Sequence, residues 1–439
     1  FQGAHKAAVH VAHTMQQLGG AVLRSTEPRA DTDNNDNSED SDNASDCESE
    51  QAAVKRGDPE ARLLRRVLQY FRDGALGAGM RRLLRTPTPQ VPFPEKVSLL
   101  RALHPADPDG LKMNHSVEGE APNIASIPKD LPKFIRDHAH GACGDEFGWT
   151  AELLSYLFDD PRTREDVSAL LVDIANGSFG EEVSARLNAA RLTGIGKVTG
   201  GVRPIAITGT LLKLAGALLL RGHADVVREH FLPLQFGIGV PSGVEIITHK
   251  VRSYREAHTN AVVAALDIAA GFQGPFRSVM KRELSNTKWR GLWRFWNAYY
   301  AKPSTLYVYN GNAYEEISSQ RGSKQGCSWG SFLFALVLHP TLRKMTAKFP
   351  ELTVLVYIDD VTILGTDPDK VAEAIVWFDN EIKAELGSEL NRKKCQWYSE
   401  AHPIPDCLKS QVSPDGSNTR HSVHELLPRT NLTVVALVA

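Results

Sequence analysis

The stretch Leu352-Thr-Val-Leu-Val-Tyr-Ile-Asp-Asp-Val-Thr-Ile-Leu-Gly365 constrains this chain more than any other, because an apolar run is broken by two adjacent carboxylates and then resumes. Alternating β-branched and large apolar residues on both sides predict two strands, with Asp359 and Asp360 at or near the turn between them. Asp is common in solvated turns. Here, however, the pair sits inside apolar sequence without the Gly or Asn of a tight turn. What such a pair does depends on the partners that the rest of the chain supplies.

Several stretches qualify as partners. Ala261-Val-Val-Ala-Ala-Leu-Asp267 is a short apolar run ending on a carboxylate, which suits a metal ligand at a sheet edge and equally a strand-terminal cap. Residues 195–207 predict a strand, a Gly-rich turn and a second strand. That hairpin places Lys197 and Arg203 on facing strands, either as a clamp for a triphosphate or as two surface charges. The glycines of Gln235-Phe-Gly-Ile-Gly-Val-Pro-Ser-Gly243 imply close approach of the backbone to a neighbour that the sequence does not identify. Trp289, Trp293, Trp296 and Tyr300 recur at helical spacing, the pattern of a buried helix face more than of a base-stacking platform. An Asn-Gly hairpin at 306–314 leads into the Gly-rich loop 320–326 and an apolar helix at 332–345. A helix at 371–386 precedes the Lys-rich segment 387–395.

Length and composition bound the class. With 439 residues and 42% hydrophobic content, the chain can fill two or more packed domains and is no minimal binding module. Residues 1–23 carry no recognisable chemistry, and 24–57 have the acidic, nearly apolar-free composition of a disordered linker. Nine acids and no Lys or Arg fall within 31–50, so the formal net charge of -2 conceals a mildly basic remainder. Such a balance suits a polyanionic partner and also fits an ordinary surface. Residues 58–148 read as a helical extension, with apolar positions at 63–71, 80–84 and 99–103. Its arginines 81, 82 and 85 could touch nucleic acid or simply form a solvated face. Thr150 is a plausible N-cap opening a helical region that continues through 165–176 and 181–190, and further helices are expected at 211–221 and around 247–254. Five cysteines without Cys-x-x-Cys spacing indicate a reducing compartment and no disulfide framework. His402, Cys407, His421 and His424 fit no zinc-ligand spacing. No apolar run is long enough to span a bilayer and no signal peptide is evident. Position 1 is Phe, so a fragment or processed product is expected.

Carboxylates from different strands, facing a basic hairpin across Gly-rich loops, are what nucleotidyl transfer by two Mg²⁺ ions about 3.5–4 Å apart requires. In their order along residues 76–395, the motifs resemble the reverse transcriptase domain of non-long-terminal-repeat retrotransposons, of the site-specific kind that carries a restriction-like endonuclease. Arg203-Pro-Ile-Ala-Ile207 is similar to the fingers motif, and Leu266-Asp267 with Phe272 and Arg277 to the first palm motif. Gln325-Gly326, followed by Phe334-Ala-Leu-Val-Leu-His-Pro340, resembles the second. Tyr357-Ile-Asp-Asp360 resembles the third, and Leu390-Asn-Arg-Lys-Lys-Cys395 the fourth.

The resemblance implies an α+β right-hand polymerase, with fingers over 149–260 and a palm over 261–400 that holds a connecting insertion at about 278–320. Residues 401–439 would then be a tail opening a truncated thumb. It further implies that Asp267, Asp359 and Asp360 hold two Mg²⁺ (Mn²⁺ as substitute) and that Lys197 and Arg203 contact the incoming triphosphate. Gln325, Gly326 and Tyr357 would border the nucleotide pocket, and Lys394 would protonate the leaving pyrophosphate. Phe272 would be the steric gate against a ribose 2′-hydroxyl, where viral RNA-dependent RNA polymerases place an acid. The implied partners are an RNA template, a DNA primer or target and deoxynucleoside triphosphates, without a membrane and in the nucleus. Two departures stand out: Ala270-Gly271 replaces the family's Asn-Ala before the gate, and Cys327 replaces its Asp after Gln-Gly. With the unrecognised thumb they motivate a second reading, a decayed or truncated copy that keeps the fold and binds RNA without extending a primer; a third, a host-domesticated or telomerase-like polymerase, expects a dedicated RNA-binding domain in residues 1–150.

Overall fold

The computed structural model describes residues 88–107, 134–135, 144–198, 200–311 and 313–408. The acidic linker, the amphipathic stretches at 63–71 and 80–84, the apolar segment at 432–439, His421 and His424 lie outside the described residues.

Helix α1 (Phe93–Ala102) comes first. Helix α2 (Ala151–Asp159) starts where the sequence places a cap, with Thr150 Oγ1 accepting from Leu153 N–H at 3.2 Å. Asp160 caps α3 (Pro161–Ala175), whose first residue is the Pro that tolerates the missing N–H there. After α4 (Glu181–Asn188), strands β1 (Ala190–Gly196) and β2 (Val202–Thr208) pair antiparallel with Ile195 opposite Arg203. Helices α5 (Thr210–Gly222), α6 (Ala224–Phe231) and α7 (Gly243–Ala257) lead to β3 (Val262–Asp267). Then come α8 (Arg277–Leu284), α9 (Arg290–Tyr299) and the hairpin β4 (Ser304–Asn310) to β5 (Ala313–Ser319). Helix α10 (Gly330–Lys348) precedes β6 (Thr353–Tyr357) and β7 (Asp360–Gly365). Helix α11 (Pro368–Leu386) is capped by Asp367 and closed by Gly387 at φ 65°, and β8 (Gln396–Tyr398) follows.

The fold is mixed α+β, and its strands form two sheets ordered β2-β1-β4-β5 and β6-β7-β3-β8. The second is antiparallel throughout. The first contains a parallel step, in which Ala190 and Arg191 of β1 lie opposite Leu306 and Tyr307 of β4. The segment expected as a connecting insertion at 278–320 therefore supplies half of the sheet that begins with the basic hairpin.

Alternation along these strands buries Leu192, Val202, Leu306, Val308 and Ile317 against Val97 and Leu100 of α1. The main core lies under the other sheet. Helix α10 is buried on nearly every side, and the aromatic stripe ends up in the interior, with Trp289, Trp296 and Tyr300 no more than 2% exposed. Trp329 joins them, its indole N–H donating to Gly216 O at 2.8 Å. Among the described residues, no helix is long and apolar enough to cross a membrane, and Cys327, Cys395 and Cys407 are free thiols.

Candidate active site

Strand β3 lies between β7 and β8, and its last residue, Asp267, is directly opposite Asp360, the first residue of β7. Directly opposed residues share a face of the sheet. Asp359 lies in the two-residue turn between β6 and β7, one residue before that pair, and Tyr357 faces Asp360 from β6. Three carboxylates, one from the end of β3 and two from the β6–β7 hairpin, are thus gathered at one end of the sheet. Their electrostatics agree with this crowding. Burial, then Asp359, then Asp267 push the Asp360 carboxyl up to about 7, and burial with the charge of Asp267 raises Asp359.

The cations converge on the same end. Lys394 Nζ donates to both oxygens of Asp267, at 3.1 and 3.2 Å. It is carried there by residues 389–395, which run back along the end of β3. Ala269 N–H donates to Glu389 O at 2.8 Å, and Asn391 N–H to Asp267 O at 2.8 Å. Arg203 is exposed on β2, whereas Lys197 lies one residue past β1, in the turn closed by its N–H to Gly201 O. The expectation of two facing strand residues is corrected accordingly: one cation is on a strand and the other in the turn, because β1 ends at Gly196. Burial first, then the charges of Lys394 and Arg203, lower the Lys197 ammonium, while Asp267 opposes the shift. All three cations therefore act within the field of the carboxylates.

Around them, Gln325 O accepts from Ala206 N–H at 2.7 Å, which docks the Gln325-Gly326 loop on β2 three residues beyond Arg203. Phe272 is 7% exposed and stacks on Phe334, with ring centroids 5.8 Å apart at 28°. The ring of the expected gate residue is thus held against the core. Its neighbour Gly271 lies so near Asp359 that a Cβ added there would stand 3.6 Å from the Asp359 Cβ. Tyr357 is half-buried, its phenol raised by burial and by Glu245. At the two departures from the family pattern, Ala270 adopts φ 47°, a left-handed conformation that Asn tolerates better than Ala, and Cys327 Sγ accepts the Tyr300 hydroxyl at 2.9 Å.

Two residues that support this end escaped the sequence reading. Buried Asp379 of α11 accepts from Leu390 N–H at 2.9 Å and pairs with Lys383 at 2.7 Å and Arg392 at 3.4 Å, tying down the segment that carries Lys394. In sequence, Asp379 and Lys383 look like an ordinary surface pair four residues apart. The second is Gln235, whose carboxamide bonds Gly237 and Ile358. Its signal was present in the glycines beside it but pointed to no partner.

Among the described residues, no three His, Cys, Asp or Glu side chains are already drawn around one point as a metal cage. Asp267 is instead turned to Lys394. The strand register still places three carboxylates side by side, and the charges of Asp359 and Asp267, which add to burial in raising Asp360, are the surplus that divalent cations relieve. Oxygen-only donors suit Mg²⁺ or Mn²⁺ over softer metals, so the residues fit the expected ions.

Residues 195–421, just over half of the chain, match the family described as reverse transcriptase (RNA-dependent DNA polymerase). The chain is also similar to the retrotransposable element SLACS 132 kDa protein of Trypanosoma brucei gambiense, at 30% identity over 248 residues. That alignment spans 56% of this chain and 21% of the relative, about a fifth of its length.

Proposed function

Because this chain belongs to the reverse transcriptase (RNA-dependent DNA polymerase) family, we propose that it is the polymerase unit of a non-long-terminal-repeat retroelement and copies RNA into DNA by target-primed synthesis. The observation that carries this reading is the register of Asp267 against Asp360 with Asp359 in the adjoining turn. Its similarity to a retrotransposable element protein supports the choice of element. A nuclear site of action and a restriction-like endonuclease borne by the same element belong to the same reading.

Asp267, Asp359 and Asp360 would hold two Mg²⁺. When bound, these ions would favour ionisation of a primer 3′-hydroxyl, whose proton passes to solvent water, and would stabilise a leaving pyrophosphate. The new bond joins the 3′-oxygen to the α-phosphorus as the bond to the bridging oxygen breaks. Lys197 and Arg203 neutralise the triphosphate from the hairpin end. Lys394, bonded to Asp267 in the free protein, gives its proton to the departing pyrophosphate. Phe272, fixed by its stack on Phe334, limits the room for a 2′-hydroxyl. Gln325, Gly326 and Tyr357 complete the pocket wall.

Primer extension on an RNA template, with wild type beside Asp359→Ala, tests the proposal. Extension by wild type and none by the variant is expected. Equal activity in the two would remove the catalytic assignment. The strain at Ala270 favours one other reading, a copy that binds RNA without extending a primer. Wild-type protein that binds template yet incorporates nothing would establish it.

A further inference from the structure

Ile358, between Tyr357 and Asp359, adopts φ 55°. That left-handed region is sterically poor for any residue with a Cβ and worst for a β-branched one. A turn built this way reverts to a relaxed conformation unless its surroundings over-determine it. One side chain bonds both peptide groups of the residue. Gln235, 1% exposed, accepts from Ile358 N–H at 2.7 Å through Oε1 and donates through Nε2 to Ile358 O at 3.1 Å. The same Oε1 accepts from Gly237 N–H at 2.9 Å, so the carboxamide is itself held in place.

The backbone around Gln235 is fixed to the same hairpin. Phe236 N–H donates to Val356 O at 2.7 Å and Val356 N–H to Leu234 O at 2.8 Å, which lays residues 234–236 along the outer edge of β6. Gly237 must be glycine, since a Cβ there would lie 2.7 Å from both the N and the Cγ1 of Ile358. The close approach implied by the glycines of 235–243 is therefore an approach to the turn that carries the carboxylates.

We infer that Gln235 is a positioning residue for the polymerase site: its carboxamide clamps both peptide groups of Ile358 and so holds Asp359 and Asp360 in line with Asp267. This rests on the polymerase reading above. Gln235 acts only through the turn, at one remove from nucleotide and primer. Loss of the clamp lets Ile358 relax and rotates the peptide that precedes Asp359, so the effect falls on kcat and on metal affinity, and KM for nucleotide changes little.

The test compares wild type, Gln235→Leu and the double variant Gln235→Leu with Ile358→Gly. Glycine occupies φ 55° without steric cost, so the clamp becomes dispensable in the double variant. For Gln235→Leu the expectation is a kcat lower by about 100-fold, the scale of an ångström-sized misplacement, with nucleotide KM within about threefold. The double variant should recover at least tenfold of that loss. Mn²⁺ titration followed by electron paramagnetic resonance reads the same carboxylates without turnover; affinity should fall in the single variant and return in the double. The inference is overturned if Gln235→Leu keeps kcat within threefold of wild type, if its Mn²⁺ affinity is unchanged, or if Ile358→Gly restores neither property. Should Gln235→Leu fail to fold, the double variant decides: a restored cooperative melt with restored Mn²⁺ binding supports the clamp, and continued unfolding overturns it. Wild-type protein that binds Mn²⁺ but extends no primer defeats the polymerase reading alone, because the Mn²⁺ comparison still judges the clamp.

Discussion

Asp379 offers the most direct link between stability and the site. Its carboxylate is 3% exposed, yet it bonds Leu390 N–H at 2.9 Å, Lys383 Nζ at 2.7 Å and Arg392 at 3.4 Å. Replacing it with Ala strips the buried Leu390 N–H of its acceptor, a loss of about 1–3 kcal/mol. Two charge-assisted contacts go with it. Lys383 and Arg392 are 38% and 45% exposed and can turn to water, so their share is discounted to about 1 kcal/mol together. Asp379→Ala should therefore cost about 2–4 kcal/mol. Asp379→Asn keeps an acceptor for Leu390 and should cost about 1 kcal/mol.

The sign with pH follows from the lowered carboxyl. Burial opposes ionisation, but bonds from Lys383, Leu390 N–H and Arg392 outweigh it. A folded pKa below the unfolded value of about 3.9 gives stability that is complete above that value and is lost as pH falls through the folded one. Urea unfolding at pH 7 and pH 4 checks this. Wild type should exceed Asp379→Asn at pH 7, and the gap should begin to narrow at pH 4. Because Leu390 N–H anchors the segment bearing Lys394, Asp379→Ala should also slow primer extension by about tenfold, the loss for a displaced proton donor being bounded by the 10²–10⁴ that such groups contribute. Equal urea midpoints for all three proteins at pH 7, or a gap that widens in acid, would refute the reasoning.

Other perturbations have equally definite outcomes. Arg277 is 1% exposed and donates to Gly322 O, Lys302 O and Ser319 Oγ; burial pulls it down to about 10, which leaves it charged at neutral pH. Arg277→Met should lower stability by about 3 kcal/mol or more, seen as a lower calorimetric melting temperature. Ala270→Asn places a residue tolerant of φ 47° at a strained position and should raise stability by up to about 1 kcal/mol, measured by the urea midpoint. Phe272→Val removes part of the ring stacked on Phe334; the preference for deoxynucleotides over ribonucleotides, measured as a ratio of kcat/KM, should fall by about tenfold or more.

What could be read in advance was local. The apolar runs flanking Asp359 and Asp360, the Gly-rich turn after Gly196, the Thr150 cap and the helical aromatic stripe each act over about a dozen residues, where periodicity and turn chemistry dominate. The order of motifs then brought Asp267 and Lys394 into one group. One detail failed even locally: Lys197 fell past the end of β1.

By itself, then, the sequence determined which strands and helices form and which carboxylates and cations are available for chemistry. Only the tertiary structure decided that β4 pairs parallel with β1, that Asp379 anchors Leu390, and that Gln235 holds Ile358 from 123 residues away. The reason is physical. Hydrophobic spacing reports which face of an element is buried, but a parallel pairing or a buried carboxamide depends on which distant backbone groups would otherwise go unsatisfied. That demand arises only once the sheets have closed around the Tyr357–Asp360 turn.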